Sequence, residues 1–104
     1  MPFYSLISST PTSEDWISSY VESVGTIVAR HGGKYLARTA NFERLEGAGE
    51  DPAAFVMIEW PDKASGIAFM NDPEYQPFLE ARLAGSVSQH FLIDGNDDFS
   101  AASE

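Results

Sequence analysis

The first third of the chain predicts a strand followed by an amphipathic helix. Residues 3–8 are rich in aromatic and β-branched side chains and lead into a Ser-Ser-Thr-Pro turn, which is typical of a strand. Thr12 is the expected N-cap of the helix, with Glu14 and Asp15 in its first turn, and Gly32-Gly33 marks its end. One apolar stripe at helical spacing runs between these signals: Trp16, Tyr20, Val24, Ile27 and Val28.

The middle of the chain predicts two strands joined by a polar loop. Lys34–Glu43 alternates between polar and apolar residues, and a glycine-bearing loop follows at 45–52. Ala53–Trp60 is apolar throughout except for Glu59. A short run of this kind, with turn signals on both sides, indicates a strand buried on both faces.

The second half predicts two short helices and a closing strand. Asp62 is placed to cap the first helix, and Asp72 with Pro73 is expected to start the second. Ser86–Ile93 alternates as a strand, with two sets of side chains on opposite faces. The first set is Val87, Gln89, Phe91 and Ile93, and the second is Ser88, His90 and Leu92.

The resulting order β-α-β-β-α-β predicts a ferredoxin-like α+β domain, in which a four-stranded antiparallel sheet carries its helices on one face. Right-handed crossovers place the first and third strands at the centre. Helices on one face leave the other side of Ala53–Trp60 bare, whether Val56 or Phe55 points outward. We therefore expect a homodimer in which two sheets pack face to face.

Length and charge narrow the class of protein. The 104 residues fit one domain, placed at 1–95, with a flexible acidic tail at 96–104. The formal net charge of −10 disfavours nucleic acid as a partner. No apolar run approaches a membrane span and the first residues lack signal-peptide features, so a cytoplasmic protein is expected. The absence of cysteine excludes disulfides, thiolate metal sites and cysteine nucleophiles.

Several ordered segments resemble the domain-of-unknown-function family 1330. They are Gly32-Gly33-Lys34-Tyr35-Leu36-Ala37-Arg38, Leu45-Glu46-Gly47, Ile58-Glu59-Trp60-Pro61, Asp72-Pro73-Glu74-Tyr75-Gln76-Pro77, Arg82 and Phe91-Leu92-Ile93-Asp94-Gly95. The resemblance covers about residues 3–95. It departs from the family at the helix start near 12–15, at Trp60 where Phe is commoner, and in the tail after Gly95.

This resemblance implies the dimeric α+β barrel superfamily, whose members often carry a pocket between sheet and helices. The superfamily includes cofactor-independent monooxygenases, haem-degrading enzymes, isomerases and effector-binding modules. The family has no settled activity, so the resemblance implies a scaffold and leaves the chemistry open.

Arg38 and Glu59 are candidate site residues with an alternative structural role. Arg38 could bind a substrate carboxylate or phenolate, and Glu59, if buried and unpaired, could act as a general base. A hairpin register that sets Phe42 opposite Phe55 would instead pair Arg38 with Glu59 as an ion pair.

Tyr75 and Arg82 share one helical face and are the other candidate ligand contacts. The alternative is a core tyrosine and an ion-paired arginine. His31 and His90 are the only histidines, and their spacing indicates no metal site, so no metal or cofactor is expected.

Two functions of different classes fit these residues. The first is a small-molecule binding or interaction module without catalysis, which we favour because no tight catalytic constellation is present. The second is a cofactor-independent enzyme, similar to a monooxygenase or isomerase, that acts on a small aromatic or polyketide-like substrate. In that case Arg38, Glu59, Tyr75 and Arg82 would line its pocket.

Overall fold

The computed structural model describes residues 1–100, which form a four-stranded antiparallel sheet and three helices. In chain order the elements are β1 (Phe3–Pro11), α1 (Ile17–Arg30), β2 (Lys34–Thr39), β3 (Ala54–Trp60), α2 (Lys63–Asn71), α3 (Gln76–Gly85) and β4 (Ser86–Asp94). The strand order is β2-β3-β1-β4, so the first and third strands are central as predicted. The expected α+β ferredoxin-like architecture is confirmed.

The central strand β3 decides which residues reach the core. Ile58 and Trp60 are buried on the helix side, and Trp60 has no exposed surface at all. Phe55 and Met57 alternate with them and point to the opposite face. Of the two orientations that the sequence left open, the structure therefore has the one that directs Val56, Ile58 and Trp60 towards the helices.

Aromatic packing around Trp60 forms the middle of the core. The ring of Phe69 lies between those of Trp60 and Tyr75, with centroids 5.2 and 4.1 Å away. The indole Nε1 donates to the buried hydroxyl of Ser5 at 2.8 Å, which satisfies two polar groups inside an apolar layer. This cluster holds α2 and the start of α3 against the sheet.

The first helix begins later than the capping signals predict. Thr12 was expected as its N-cap, but α1 begins at Ile17, and no acidic residue lies in its first turn. The backbone N–H groups of Thr12 and Ser13 donate instead to the carbonyl of Gly85, at 2.8 and 3.2 Å. Because these tertiary bonds satisfy the chain before the helix, the local cap is not used.

The capping prediction for α2 is confirmed and that for α3 is wrong. Asp62 accepts from the backbone N–H of Ser65 at 2.8 Å and caps α2. Asp72, however, ends α2 and accepts from the backbone of Glu74, while α3 begins only at Gln76. A helix tolerates proline in its first turn but not in its interior, so α3 begins with Pro77 in its first turn.

The strand β2 is shorter than predicted. It ends at Thr39 rather than Glu43, and it carries an irregularity between Tyr35 and Ala37 that shifts its register against β3. Residues 40–53 contain no helix or strand. An ion pair between Arg44 and Asp51, 2.7 Å long, closes this loop.

The face of the sheet that the helices do not cover is largely apolar. Large side chains point outward from all four strands: Leu6, Leu36, Phe55, Val87, Phe91 and Ile93 are exposed. The strand registers place Leu6 opposite both Met57 and Phe91, so these side chains form one continuous patch. We call this patch the open face.

The predicted boundary at residue 95 remains a prediction. Gly95 still bonds to the domain through its N–H to the carbonyl of Pro2 at 2.9 Å, and Phe99 is fully exposed. Residues 101–104 of the predicted tail lie outside the described residues. No helix within residues 1–100 has the length and apolar content to cross a membrane.

Two glycine substitutions should move stability in opposite directions. A Cβ at Gly33 would lie 2.5 Å from Cζ3 of Trp60, so Gly33→Ala should lower the free energy of unfolding by about 1–3 kcal/mol through overpacking. A Cβ at Gly25, inside α1, would meet Tyr35 only at 3.9 Å, so Gly25→Ala should raise it by about 0.5–1 kcal/mol. Urea unfolding of both variants measures this. Equal stability of the two would contradict the packing described around Trp60.

Candidate functional site

A cavity of about 170 Å³ lies between α1 and the helix side of the sheet. Apolar and aromatic side chains make up most of its wall: Ile7, Trp16, Ile17, Tyr20, Val21, Val24, Tyr35, Ala54, Val56, Ile58 and Phe69. Three polar or charged residues complete the lining: Ser9, Arg38 and Arg82.

The regular periods of two elements create this cavity. Every second residue of β3 points to the helices, which makes Ala54, Val56 and Ile58 the floor. The helical spacing of α1 turns Tyr20 and Val24 towards them as the roof. The residues just before α1 bond to Gly85 at the end of α3, so α1 is not pressed against the first residues of β3. Space therefore remains between α1 and the sheet.

Arg82 is the most unusual residue of the lining. It is only 5% exposed, although its guanidinium is charged. Its Nη1 donates to the hydroxyl of Ser88 at 2.6 Å, but its Nε has no hydrogen-bond partner within residues 1–100. None of the described carboxylates forms an ion pair with it. A buried donor without a partner costs about 1–3 kcal/mol, and more when it is charged.

A second unsatisfied polar atom belongs to another residue of the same lining. The hydroxyl of Ser9 is buried and has no partner within the described residues. The functional interpretation of such unsatisfied groups is that a bound ligand supplies their missing hydrogen-bond partner. Arg82 and Ser9 are the two residues with an unsatisfied buried side-chain atom in the part of the chain described, and both line this one cavity.

Two tyrosine hydroxyls meet beside the cavity. The oxygens of Tyr20 and Tyr75 are 2.6 Å apart, so one phenol donates to the other. Burial, followed by the neighbouring Tyr75, raises the pKa of Tyr20 far above its ordinary value, against an opposing effect of Arg82. The Tyr20 phenol therefore stays protonated and neutral at physiological pH.

Arg38 and Tyr35 form the mouth of the cavity. The guanidinium carbon of Arg38 lies 4.0 Å from the centre of the Tyr35 ring, a cation–π contact, and its side chain is exposed. Burial raises the pKa of Tyr35, and the charge of Arg38 partly opposes that shift. Arg38 therefore presents a positive charge where the cavity reaches solvent.

The structure places the four residues expected at a site in different surroundings. Arg38 and Arg82 line the cavity, and Tyr75 lies behind its wall, bonded to Tyr20. Glu59 points to the open face, where the hydroxyl of Tyr4 donates to it at 3.4 Å. A role for Glu59 in this cavity is therefore excluded by the alternation of β3.

The predicted ion pair between Arg38 and Glu59 is wrong. Arg38 lies opposite Val56, and Glu59 lies opposite Lys34. Compared with the hairpin register assumed from sequence, the pairing is offset by four residues before the irregularity at Leu36 and by three after it. Phe42 does contact Phe55, with centroids 4.8 Å apart, but from the loop after β2.

Sequence reasoning missed Ser9, Tyr20 and Tyr35 as site residues. Tyr20 belongs to the apolar stripe of α1 and was assigned to the core. Tyr35 opens β2, and Ser9 falls in the turn predicted after residue 8, which in the structure is still strand. The amphipathic character of a tyrosine inside an otherwise apolar stripe was the one available signal.

His90 belongs to a separate polar cluster on the other side of Ser5. Its Nε2 lies 2.7 Å from the Ser5 hydroxyl, which already accepts from the indole of Trp60. Because an indole only donates, the serine proton is available for His90, and a neutral ring with an unprotonated Nε2 can accept it. Burial, with Arg82 second, lowers the pKa of His90 and favours that neutral form.

His31 serves a structural role at the end of α1. Its Nε2 lies 2.7 Å from Asp72, and its ring packs edge-on against Phe69. Within residues 1–100 no group of three or more histidine and carboxylate side chains could hold a metal ion.

Comparison with known proteins assigns the family. The model of a domain of unknown function, DUF1330, matches residues 2–96. The chain belongs to the DUF1330 family. No curated protein matches this DUF1330 domain.

Solved structures similar to the DUF1330 domain share its fold at low sequence identity. A protein of unknown function from Rhodopseudomonas palustris has a TM-score of 0.75 at 18% identity, covering 92% of this chain and 83% of that one. SnoaB, a cofactor-independent oxygenase from Streptomyces nogalater, has a TM-score of 0.64 at 20% identity, covering 94% and 96%. A dimeric ferredoxin-like protein of unknown function from Jannaschia sp. has a TM-score of 0.66 at 15% identity, covering 90% and 99%. At these identities the likeness shows the fold alone.

The DUF1330 domain should lose stability as His90 becomes protonated. Because the pKa of His90 is lowered in the folded state, the unfolded chain binds the proton first, below about pH 6.5. The free energy of unfolding of the wild type should therefore fall between pH 7 and 5. That of His90→Gln should fall less over the same range. Asp62 and Asp72, whose pKa values are lowered mainly by hydrogen bonds from Ser65 and His31, act at more acidic pH. Equal losses in both proteins, measured by thermal unfolding at the two pH values, would contradict this.

Proposed function

We propose that this DUF1330 domain is a small-molecule binding module whose ligand occupies the cavity between α1 and the sheet. The single observation that carries the proposal is an apolar cavity of about 170 Å³ between α1 and the sheet, which reaches solvent only at its mouth. Protein interiors rarely leave spaces larger than a water molecule, since each removes dispersion contacts from its lining. A cavity of this size in a 104-residue domain is therefore best explained by an occupant.

The size of the cavity limits the occupant. An apolar cavity of about 150 Å³ engineered in an unrelated protein stays dry and binds benzene. The present cavity therefore accommodates one six-membered ring. A larger ligand would have to extend past Arg38 and the exposed Val21 at the mouth.

Filling the cavity should abolish binding of a single-ring ligand. Benzamide, which is neutral and soluble, should bind the wild type and raise its stability by about 1.4 kcal/mol at ten times its Kd. Val56→Phe puts a ring on the cavity floor and should remove the heat of binding in calorimetry, without loss of stability. Met57→Phe, the next residue on the opposite face, should bind as the wild type does. Unchanged binding by Val56→Phe would place the ligand elsewhere.

We further propose that the open face is covered by a second copy of the chain. Its apolar side chains come from all four strands, and a monomer would leave them in water. The dimeric ferredoxin-like protein from Jannaschia supports this, because its fold is the same. In such a dimer the two sheets pack face to face and the two cavities lie on the outer sides.

A charge on the open face should break this dimer. Phe91 is 60% exposed there, and Phe91→Glu would bury a carboxylate between the sheets, so the variant should be monomeric. Leu83 on α3 is 58% exposed on the helical side, and Leu83→Glu should stay dimeric. Light scattering at micromolar concentration measures both. A wild type that is monomeric under these conditions contradicts the proposal.

A cofactor-independent enzyme acting on a small aromatic or polyketide-like substrate is the second candidate function. It is supported by the fold shared with SnoaB and by the neutral phenol of Tyr20 close to Arg82. The cationic lining would favour the phenolate form of a bound phenol, and Tyr20 could exchange its proton with Tyr75. Chemical change of a bound phenol, set against its release unchanged, separates this function from simple binding.

A further inference from the structure

The four arginines of the chain divide into two pairs with different surroundings. Arg30 and Arg44 lie at the surface and form ion pairs with carboxylates, to Asp72, Glu74 and Asp51. Arg38 and Arg82 form no ion pair within residues 1–100. Both of these unpaired arginines line the cavity.

The cavity is therefore cationic within a strongly acidic chain. The sequence has 16 Asp and Glu against 6 Lys and Arg, yet no carboxylate of residues 1–100 lines the cavity and two of the six cations do. The tyrosines of its lining, Tyr20 and Tyr35, are neutral, because burial raises the pKa of both. No group of the lining thus balances the charge of Arg82.

We infer that the cavity's ligand carries an anionic oxygen, a carboxylate or a phenolate, which accepts a hydrogen bond from Nε of Arg82. This inference rests on the proposed binding function and names its ligand class. With the cavity size, it identifies the ligand as a single-ring aromatic acid or a molecule that ends in one.

The geometry of Arg82 supports an anion over a neutral polar group. Ser88 accepts from Nη1, no residue within 1–100 accepts from the buried Nε, and the buried Ser9 hydroxyl is a second unsatisfied group among the lining residues. A guanidinium taken out of water is stabilised far more by an opposite charge than by a dipole. Ring atoms of the same ligand would contact the aliphatic and aromatic walls.

Arg38 suits the path of entry. Its exposed guanidinium, stacked on Tyr35, offers a positive charge at the mouth, whereas the net charge of −10 repels anions elsewhere on the protein. An anion would meet Arg38 first and Arg82 once its ring is buried. Arg38 is thus expected to contribute to affinity, and Arg82 to decide the preference for charge.

Calorimetry with benzoate and benzamide, which have nearly the same shape, tests the inference. The wild type should bind benzoate at least tenfold more tightly than benzamide at pH 7, and Arg82→Gln should bind the two equally. Arg30→Gln removes the same charge from an ion-paired surface site and should keep the wild-type preference. Equal affinity of the wild type for both ligands, or a preference that survives in Arg82→Gln, would overturn the inference.

A second measurement needs no substitution. The Arg82 Nε–H resonance of the wild type should shift downfield on titration with benzoate and not with benzamide. An unmoved resonance in saturating benzoate would overturn the inference.

The two proposals, the binding function and the anionic ligand, can fail separately. Benzamide binding without a preference for benzoate contradicts only the anionic ligand, whereas no binding of either compound contradicts the binding function and the inference with it.

Discussion

A sheet that is apolar on both faces, with helices for only one of them, is the constraint on which this structure depends. The strand β3 alternates between Ile58 and Trp60 on the helix side and Phe55 and Met57 on the other. Every other strand takes its orientation from it, because a shift of one residue would exchange the faces. The core, the cavity and the open face are all consequences of this one alternation.

The helix layer covers its side of the sheet unevenly. Around Trp60, Phe69 and Tyr75 the packing is tight enough that a methyl group at Gly33 would not fit. Beneath α1, the same layer leaves a space large enough for an aromatic ring. The difference arises where α1 starts, since the chain before it is tied to the carbonyl of Gly85 and holds the helix end away from β3.

The chemistry of that space is set by a buried cation. Arg82 sits on a helical face with Tyr75, as the sequence predicted, but a position on a face does not say which partner an arginine finds. In the structure its partner is a serine hydroxyl, its Nε has no partner within residues 1–100, and the residue lines the cavity. The same lack of a carboxylate partner at Arg38 distinguishes both residues from the surface arginines.

Local signals in the sequence were sufficient to predict the helices and strands. They were insufficient wherever a group distant in the sequence supplied a competing partner. Asp62 capped its helix as predicted, since its carboxylate accepts from the backbone N–H of Ser65 within the same turn. Thr12 did not, because Gly85 lies 73 residues further along the chain and supplies the acceptor. Glu59 and Arg38 lie apart because the register of β2 against β3 is offset by three to four residues from the one assumed, and no side-chain pattern in β2 announced this offset or the irregularity at Leu36.

The sequence by itself thus determined the order of strands and helices, the two-faced central strand and the family, and it singled out Arg38, Tyr75 and Arg82, which lie at or next to the cavity. Periodicity decides these features, since it depends only on the geometry of each element. Tertiary structure alone decided that Glu59 lies outside the cavity, that Ser9, Tyr20 and Tyr35 lie at it, and that two arginines there form no ion pair within residues 1–100. These features depend on register and on distances between elements, which arise only when the whole chain packs.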